Sequence, residues 1–237
     1  ADRVDVEILD ETGTYSARAR IDDQGKVTFT GLAPGTYTLT ATDGDIQLLD
    51  ATAVVDASAG DAAVTLPMVL GGSVTGRVLD VFGHQVAALV RLAGPGLGAS
   101  VNTPDGQFSL GALDTGDYTL VITPALPYAP VDLSPLHITR GAVSSIGTVT
   151  VQAGGRITGH LPEAYGVGTV TIDAVDGSGR VLVSTSANPG VDYALWGVPA
   201  GPAYVRFSGY GLVTTWWKTG SSLATATPVQ VVRNGAV

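Results

Sequence analysis

The chain has 237 residues, a formal net charge of −9 and no cysteine. Hydrophobic residues make up 45% and charged residues only 14%, which allows a buried core and argues against disorder. Scattered acids with twelve basic residues leave no footprint for nucleic acid, and the missing cysteine excludes disulfides, thiolate chemistry and Cys-type zinc sites.

Glycine (32) and proline (13) are too frequent for a helical protein, and Thr and Val abound, so the expected elements are short strands with tight turns. "VDVEIL" (4–9) is the first alternating stretch. "DDQGKVTFTGLAPGTYTL" follows at 22–39. A second series runs through "GGSVTGRVLD" (71–80), "VAALVRL" (86–92), "GQFSLGAL" (106–113), "DYTLVIT" (117–123), "HITR" (137–140) and "SIGTVTV" (145–151). A third opens with "GGRITGHLPE" (154–163), continues through "NPGVDYALWGVPAGPAYVRF" (188–207) and ends in "VQVVRNGAV" (229–237). No apolar run is long enough to span a membrane.

Two landmarks recur with a period of roughly 83 residues, too long for a solenoid and suited to a small all-β domain. One is the Gly-Gly strand at 71 and 154; the other is the corner "GLAPGTYTL", "GALDTGDYTL", "GVPAGPAYV". In the corner a strand ends, an apolar residue (Leu32, Leu113, Val198) plugs toward the core, and a glycine (Gly35, Gly116, Gly201) supplies an unusual backbone angle. The next strand begins with an inward tyrosine (Tyr37, Tyr118, Tyr204) whose hydroxyl finds a backbone partner. The expectation is an all-β chain of three tandem sandwiches of about seven strands each, at 1–70, 71–153 and 154–237. The first copy lacks the "SVTGRVLD" strand and the third lacks the "SIGTVTV" strand, so the terminal sandwiches are expected to be incomplete. Unpaired edges there invite strand addition by neighbouring domains or subunits.

"GxVTGRVLDxxG" followed by "TPDGQFSLGALxxGDYTL" resembles the carboxypeptidase regulatory-like domains, which are transthyretin-like (prealbumin-like), Ig-like sandwiches. The resemblance covers copies two and three almost fully and copy one in part. It implies a non-catalytic, extracellular or cell-surface structural spacer of a secreted or surface protein, a piece of a longer chain or filament. Accessory domains of a secreted hydrolase are a weaker alternative it also implies. The Ala/Gly/Thr/Val richness, with Arg preferred over Lys, points to an actinobacterium.

Catalytic residues are not expected. His84, His137 and His160 show neither HExxH nor paired spacing, and there is no GxSxG. The Asp-Gly pairs read as turns rather than calcium loops, although a surface calcium at Asp22 and Asp23, or at Asp43 and Asp45, stays open. No cofactor or metal site is expected. The isopeptide crosslink of related Gram-positive repeats needs a buried lysine; only Lys26 and Lys218 exist, and copy two has none.

One stretch stands out, "RFSGYGLVTTWWKTGSSLATATPV" (206–229). Trp216 and Trp217, with Tyr210 and Trp196, are candidate ligand-binding residues for a glycan or protein, an adhesin-like role. The alternative is structural: one tryptophan fills the core and the other covers a loop.

Overall fold

The computed structural model describes residues 3–45, 47–95, 98–163, 168–218 and 220–237. The chain is all-β and is built from successive β-sandwich units. Strands β1 (Val4–Asp10), β2 (Tyr15–Arg20), β3 (Thr36–Asp43) and β4 (Ala51–Asp56) form one antiparallel sheet in the order β2-β1-β3-β4. Alternation along β1 buries Val4, Val6 and Ile8 against Tyr37, Leu39 and Ala41 of β3.

The second series supplies β5 (Gly72–Leu79), β6 (Ala88–Ala93), β7 (Ala99–Thr103), β8 (Gln107–Leu113), β9 (Gly116–Pro124), β10 (Val131–Ile138) and β11 (Val143–Thr150). They make a complete sandwich, one sheet ordered β10-β9-β6-β7 and the other β11-β5-β8. Between the sheets lie Val74, Val78, Val90, Leu120, Ile122 and Ile138, all fully buried. Each such side chain contributes about 1.5–3 kcal/mol of transfer free energy. β5 is central: it pairs antiparallel with β8 and parallel with β11.

The third series holds β12 (Gly155–His160), β13 (Val170–Val175), β14 (Val181–Ala187), β15 (Asp192–Val198), β16 (Gly201–Ser208), β17 (Thr215–Trp216) and β18 (Val229–Val231). β14-β13-β16-β17 match β7-β6-β9-β10, with β18 also on β16, and β12-β15 match β5-β8. The single strand β10 becomes two here. β17 pairs with Arg206 and Phe207, β18 with Gly201–Ala203, and residues 217–228 are inserted between them.

Five expectations change. About seven strands hold for the second and third units, but among the described residues the first forms only four. Residues 26–32, which match β8, and 62–69, which match β11, join no strand there, and among the described residues no strand lies between them. The third unit does begin its last strand: the Val237 N–H donates to Arg156 and its carbonyl accepts from Thr158, each at 2.8 Å, and the Arg156–Ala236 bridge is parallel. This is the geometry β11 uses on β5.

The corner also differs in detail. The left-handed residue sits just before the plug, at Gly31 (φ 72°), Ala112 (φ 52°) and Gly197 (φ 72°); Gly116 (φ 157°) and Gly201 (φ 128°) are also positive, but Gly35 is not. Tyr204 is not the match of Tyr37 and Tyr118. Ala203 takes the inward place, fully buried, and Tyr204 points to the outer face beside Val175. Leu113 and Val198 are buried, whereas Leu32 is half-buried over the open side of the first core.

Candidate functional site

Aspartate turns engage most of the polar candidates. Asp10, Asp22, Asp80 and Asp176 each accept backbone N–H bonds from residues two and four positions on, at 2.8–3.1 Å. In each, the backbone N–H of the glycine three residues on donates back to the aspartate carbonyl. This is the Asx turn in which the short carboxylate mimics a backbone partner. Burial works to raise the Asp80 pKa, but N–H donors of His84 and Phe82, helped by the His84 and Tyr128 side chains, hold it below the usual value. Asp43 does the same with the N–H groups of Asp45, Gln47 and Leu48. Among the described residues no group of three His, Cys, Asp or Glu could hold a metal.

The histidines fall into separate pairs. His84 Nδ1 lies 3.1 Å from Asp80, His137 2.9 Å from Asp117, and His160 2.8 Å from Asp192. The last two are cross-strand neighbours on exposed surface. Lys26 and Lys218 are both exposed.

The four candidate aromatics are placed on different parts of the third unit. Trp196 lies on the outer face of the β12–β15 pair, 42% exposed, with the Arg156 guanidinium 4.6 Å from its ring centroid. Tyr210 is fully exposed in the connection between β16 and β17. Trp217 packs half-buried on the main core, and Lys218 Nζ sits 4.5 Å from its ring. Trp216 is buried on the opposite, outer face of its sheet. They do not form one stacking platform.

Trp216 belongs instead to a second layer that sequence reading missed. Asp173 is buried on the outer face of β13, where Arg206 donates to it at 2.7 and 3.1 Å and Ser184 at 2.7 Å. Trp216 lies over Arg206, 6.0 Å from guanidinium to ring centroid. The inserted residues turn back at Gly220, which accepts from the Trp216 N–H, and reach the β13–β14 turn, where Leu223 approaches Gly179. Val175 and Tyr204 pair within this covered face. In the second unit Arg91 and Ala93 hold the places of Asp173 and Val175, and both are exposed. The signal available in the sequence was the extra length after Trp216, together with an acid inside "VTIDAV".

The contacts between units have a common form. Gln47 accepts from the Gly71 N–H at 2.8 Å, Leu49 donates to Val69 at 2.8 Å, and Leu48 bridges Leu70. At the next junction Ala129 donates to Gln152 at 2.8 Å, Gly154 to Pro127 at 2.9 Å, and Tyr128 bridges Ala153. In both cases the loop after the corner strand, β3 or β9, clamps the linker leaving its own unit. At the second junction Arg180 pairs with Asp132 and Gly197 faces the Tyr128 carbonyl closely. The first junction borders an open cleft of about 660 Å³ lined by Gln47, Gly71, Ser100, Ser109 and Val143.

No protein-family model matches the sequence, and no curated protein matches it. Among solved structures, the minor pilin GBS52 of Streptococcus agalactiae is 15% identical, with a TM-score of 0.37 over 65% of this chain and 84% of that one. A streptococcal ancillary pilin is 12% identical over 100% of this chain and 91% of its own, with a TM-score of 0.33. The Bacillus anthracis TIE protein is 13% identical with a TM-score of 0.31; this chain is covered in full and spans 50% of that protein. Likeness at this level leaves function to be argued from the chain's own residues.

Proposed function

We propose that the chain is a non-catalytic tandem spacer, three prealbumin-like modules at 1–70, 71–153 and 154–237, in a secreted or cell-surface bacterial protein. The observation that carries it is the repeated junction clamp. Two independent linkers are each tied by backbone hydrogen bonds to the loop of the preceding module. A linker held in this way transmits orientation, whereas a free Gly-rich one does not. The polar side chains agree with this role, since the aspartates hold turns and the histidines pair locally.

Small-angle scattering of the chain tests the reading. A spacer gives an elongated particle; a compact globule would count against it. The adhesin-like alternative now rests on Trp196 and Tyr210, the two of the four candidate aromatics with substantial exposure. Quenching of tryptophan fluorescence by oligosaccharides would favour that alternative.

A further inference from the structure

The open cleft at the first junction has a counterpart at the second, and the two differ in the side chains that stand there. The clamps align Gln47 with Pro127, whose carbonyls accept from Gly71 and Gly154, and hence Asp45 with Ala125. The corners align Gly111 with Trp196, each two residues before the buried plug, and the Gly-Gly strands align Ser73 with Arg156. At the second junction an indole with a guanidinium 4.6 Å from its centroid therefore lies over the β12–β15 pair. Leu126 of the clamp loop lies alongside, its Cδ2 3.6 Å from where a Gly197 Cβ would stand. At the first junction a glycine and a serine leave the same ground bare, and the clamp loop brings a carboxylate where Ala125 brings a methyl group.

Two kinds of residue line the cleft. Leu70 and Val143, 52% and 69% exposed, make an apolar rim. Asp45, Gln47, Ser73, Ser100 and Ser109 make a polar lining, and among the described residues none of these five side chains has a hydrogen bond or ion pair. The backbone is open as well. β7 and β8 each end their sheet, so 99–101 and 109–112 face the cleft with an unpaired strand edge. Such an edge takes an extended segment by added backbone pairing, with alternate side chains directed into the site. The field selects the charge of that segment: twelve of the 21 acids lie in residues 1–70, against four of the twelve Lys and Arg. A second copy of this chain, itself at −9, is repelled rather than drawn.

We propose that the cleft binds an extended basic segment of another protein, with one aromatic side chain over Gly111 and an arginine or lysine two residues away at Asp45. Residues two apart on a strand share a face, so both enter the cleft together. The aromatic ring takes the ground that Trp196 holds in the third module, against the apolar rim of Leu70 and Val143. The cation takes the part of Arg156, here with Asp45, Ser73 and Ser109 as acceptors. Gly111 and Ser73 keep the site open, because the same two positions carry an indole and a guanidinium in the third module.

A spacer without this site would still be a spacer, so the two readings fail separately. The test titrates the chain of residues 1–237 with the peptide acetyl-Ser-Trp-Thr-Arg-Ser-amide and follows backbone amide resonances. The expected result is one saturable site with Kd below about 1 mM, and shifts confined to Asp45, Gln47, 71–73, 99–101 and 109–112. Replacing the peptide's Trp by Ala should weaken binding at least about tenfold, and replacing its Arg by Glu at least about fivefold. Gly111→Trp with Ser73→Arg, which installs the pair of the third module, should abolish binding while amide exchange at Val74 and Leu120 stays as slow as in the parent chain. Asp45→Lys, on an exposed loop, carries the same test without touching the strands, and should weaken binding at least about fivefold. No saturable shift, shifts located elsewhere, undiminished binding by either variant, or equal binding of the Ala and Glu peptides would overturn the site. Chitotriose shifting the same amides while the peptide does not would overturn its class of ligand.

Discussion

The Tyr118 hydroxyl donates to the Asp114 carbonyl, four residues earlier, across 3.1 Å. The first module repeats the bond from Tyr37 to Ala33 at 2.7 Å, and the third cannot, because Ala203 stands in the tyrosine's place. The bond closes the corner between the two sheets, and in the second module the hydroxyl also reaches Pro95 at 3.2 Å. Tyr118→Phe should cost about 1 kcal/mol, the usual net worth of such a bond. Leu113→Ala, which empties the plug beneath it, should cost about 2–5 kcal/mol. Both are read from amide exchange within residues 72–151, since a chain of several modules need not unfold in one step.

A second prediction concerns the covered face of the third module. Arg206→Ala leaves the Asp173 carboxylate buried with Ser184 alone, and should destabilise the module by about 3 kcal/mol, the lower end for a stripped buried charge because Arg206 is partly solvated. Asp173→Asn combined with Arg206→Met, which keeps the volume and removes both charges, should cost less than Arg206→Ala alone. Thermal unfolding followed by tryptophan fluorescence reads this, since Trp216 lies over the pair.

These two sites show what the sequence could and could not convey. Alternation in "VDVEIL", "VAALVRL" and "DYTLVIT" is a local property, so strands and inward faces were legible. That residues 1–70 hold no "GGxVTG" stretch was equally plain. Register by a single residue was not: Tyr204 looks like a partner of Tyr118, and only pairing with Val175 shows that it faces the other way. Nor could the aromatics of 210–217 be assigned to faces, because Trp216 is placed by pairing with β16 and by an insertion that reaches the β13–β14 turn, distant in sequence.

Acid should weaken the chain through its turns. Asp80, Asp10 and Asp176 all have folded-state pKa values below the ordinary 3.8. A depressed folded pKa means that the stabilisation is complete above the ordinary value and is lost as pH falls through the lower, folded one. Urea midpoints should therefore change little between pH 7 and 5 and drop as pH falls below about 4. Asp80→Asn should lower the midpoint at pH 7 and flatten the acid dependence of the second module. A midpoint that rises on acidification would contradict the assignment.

Gly197 has a φ of 72°, and a Cβ added there would lie 2.6 Å from the Tyr128 carbonyl oxygen. Gly197→Val should strain the corner and push the third module off the clamp. Exchange at Ala129 and Gly154, whose N–H groups make the clamp, should quicken while the core of the second module stays protected.

The central claim, that clamped junctions make the modules hold one another at fixed orientation, can be measured directly because the chain has no cysteine of its own. Spin labels on Val54→Cys in β4 and Val181→Cys in β14, both at exposed positions, report the distance between the first and third modules by pulsed electron resonance. Clamped junctions predict a single narrow distance distribution, which broadens when Gly197→Val is added. A broad distribution in the otherwise unaltered chain would show that the modules move independently and would contradict the spacer account.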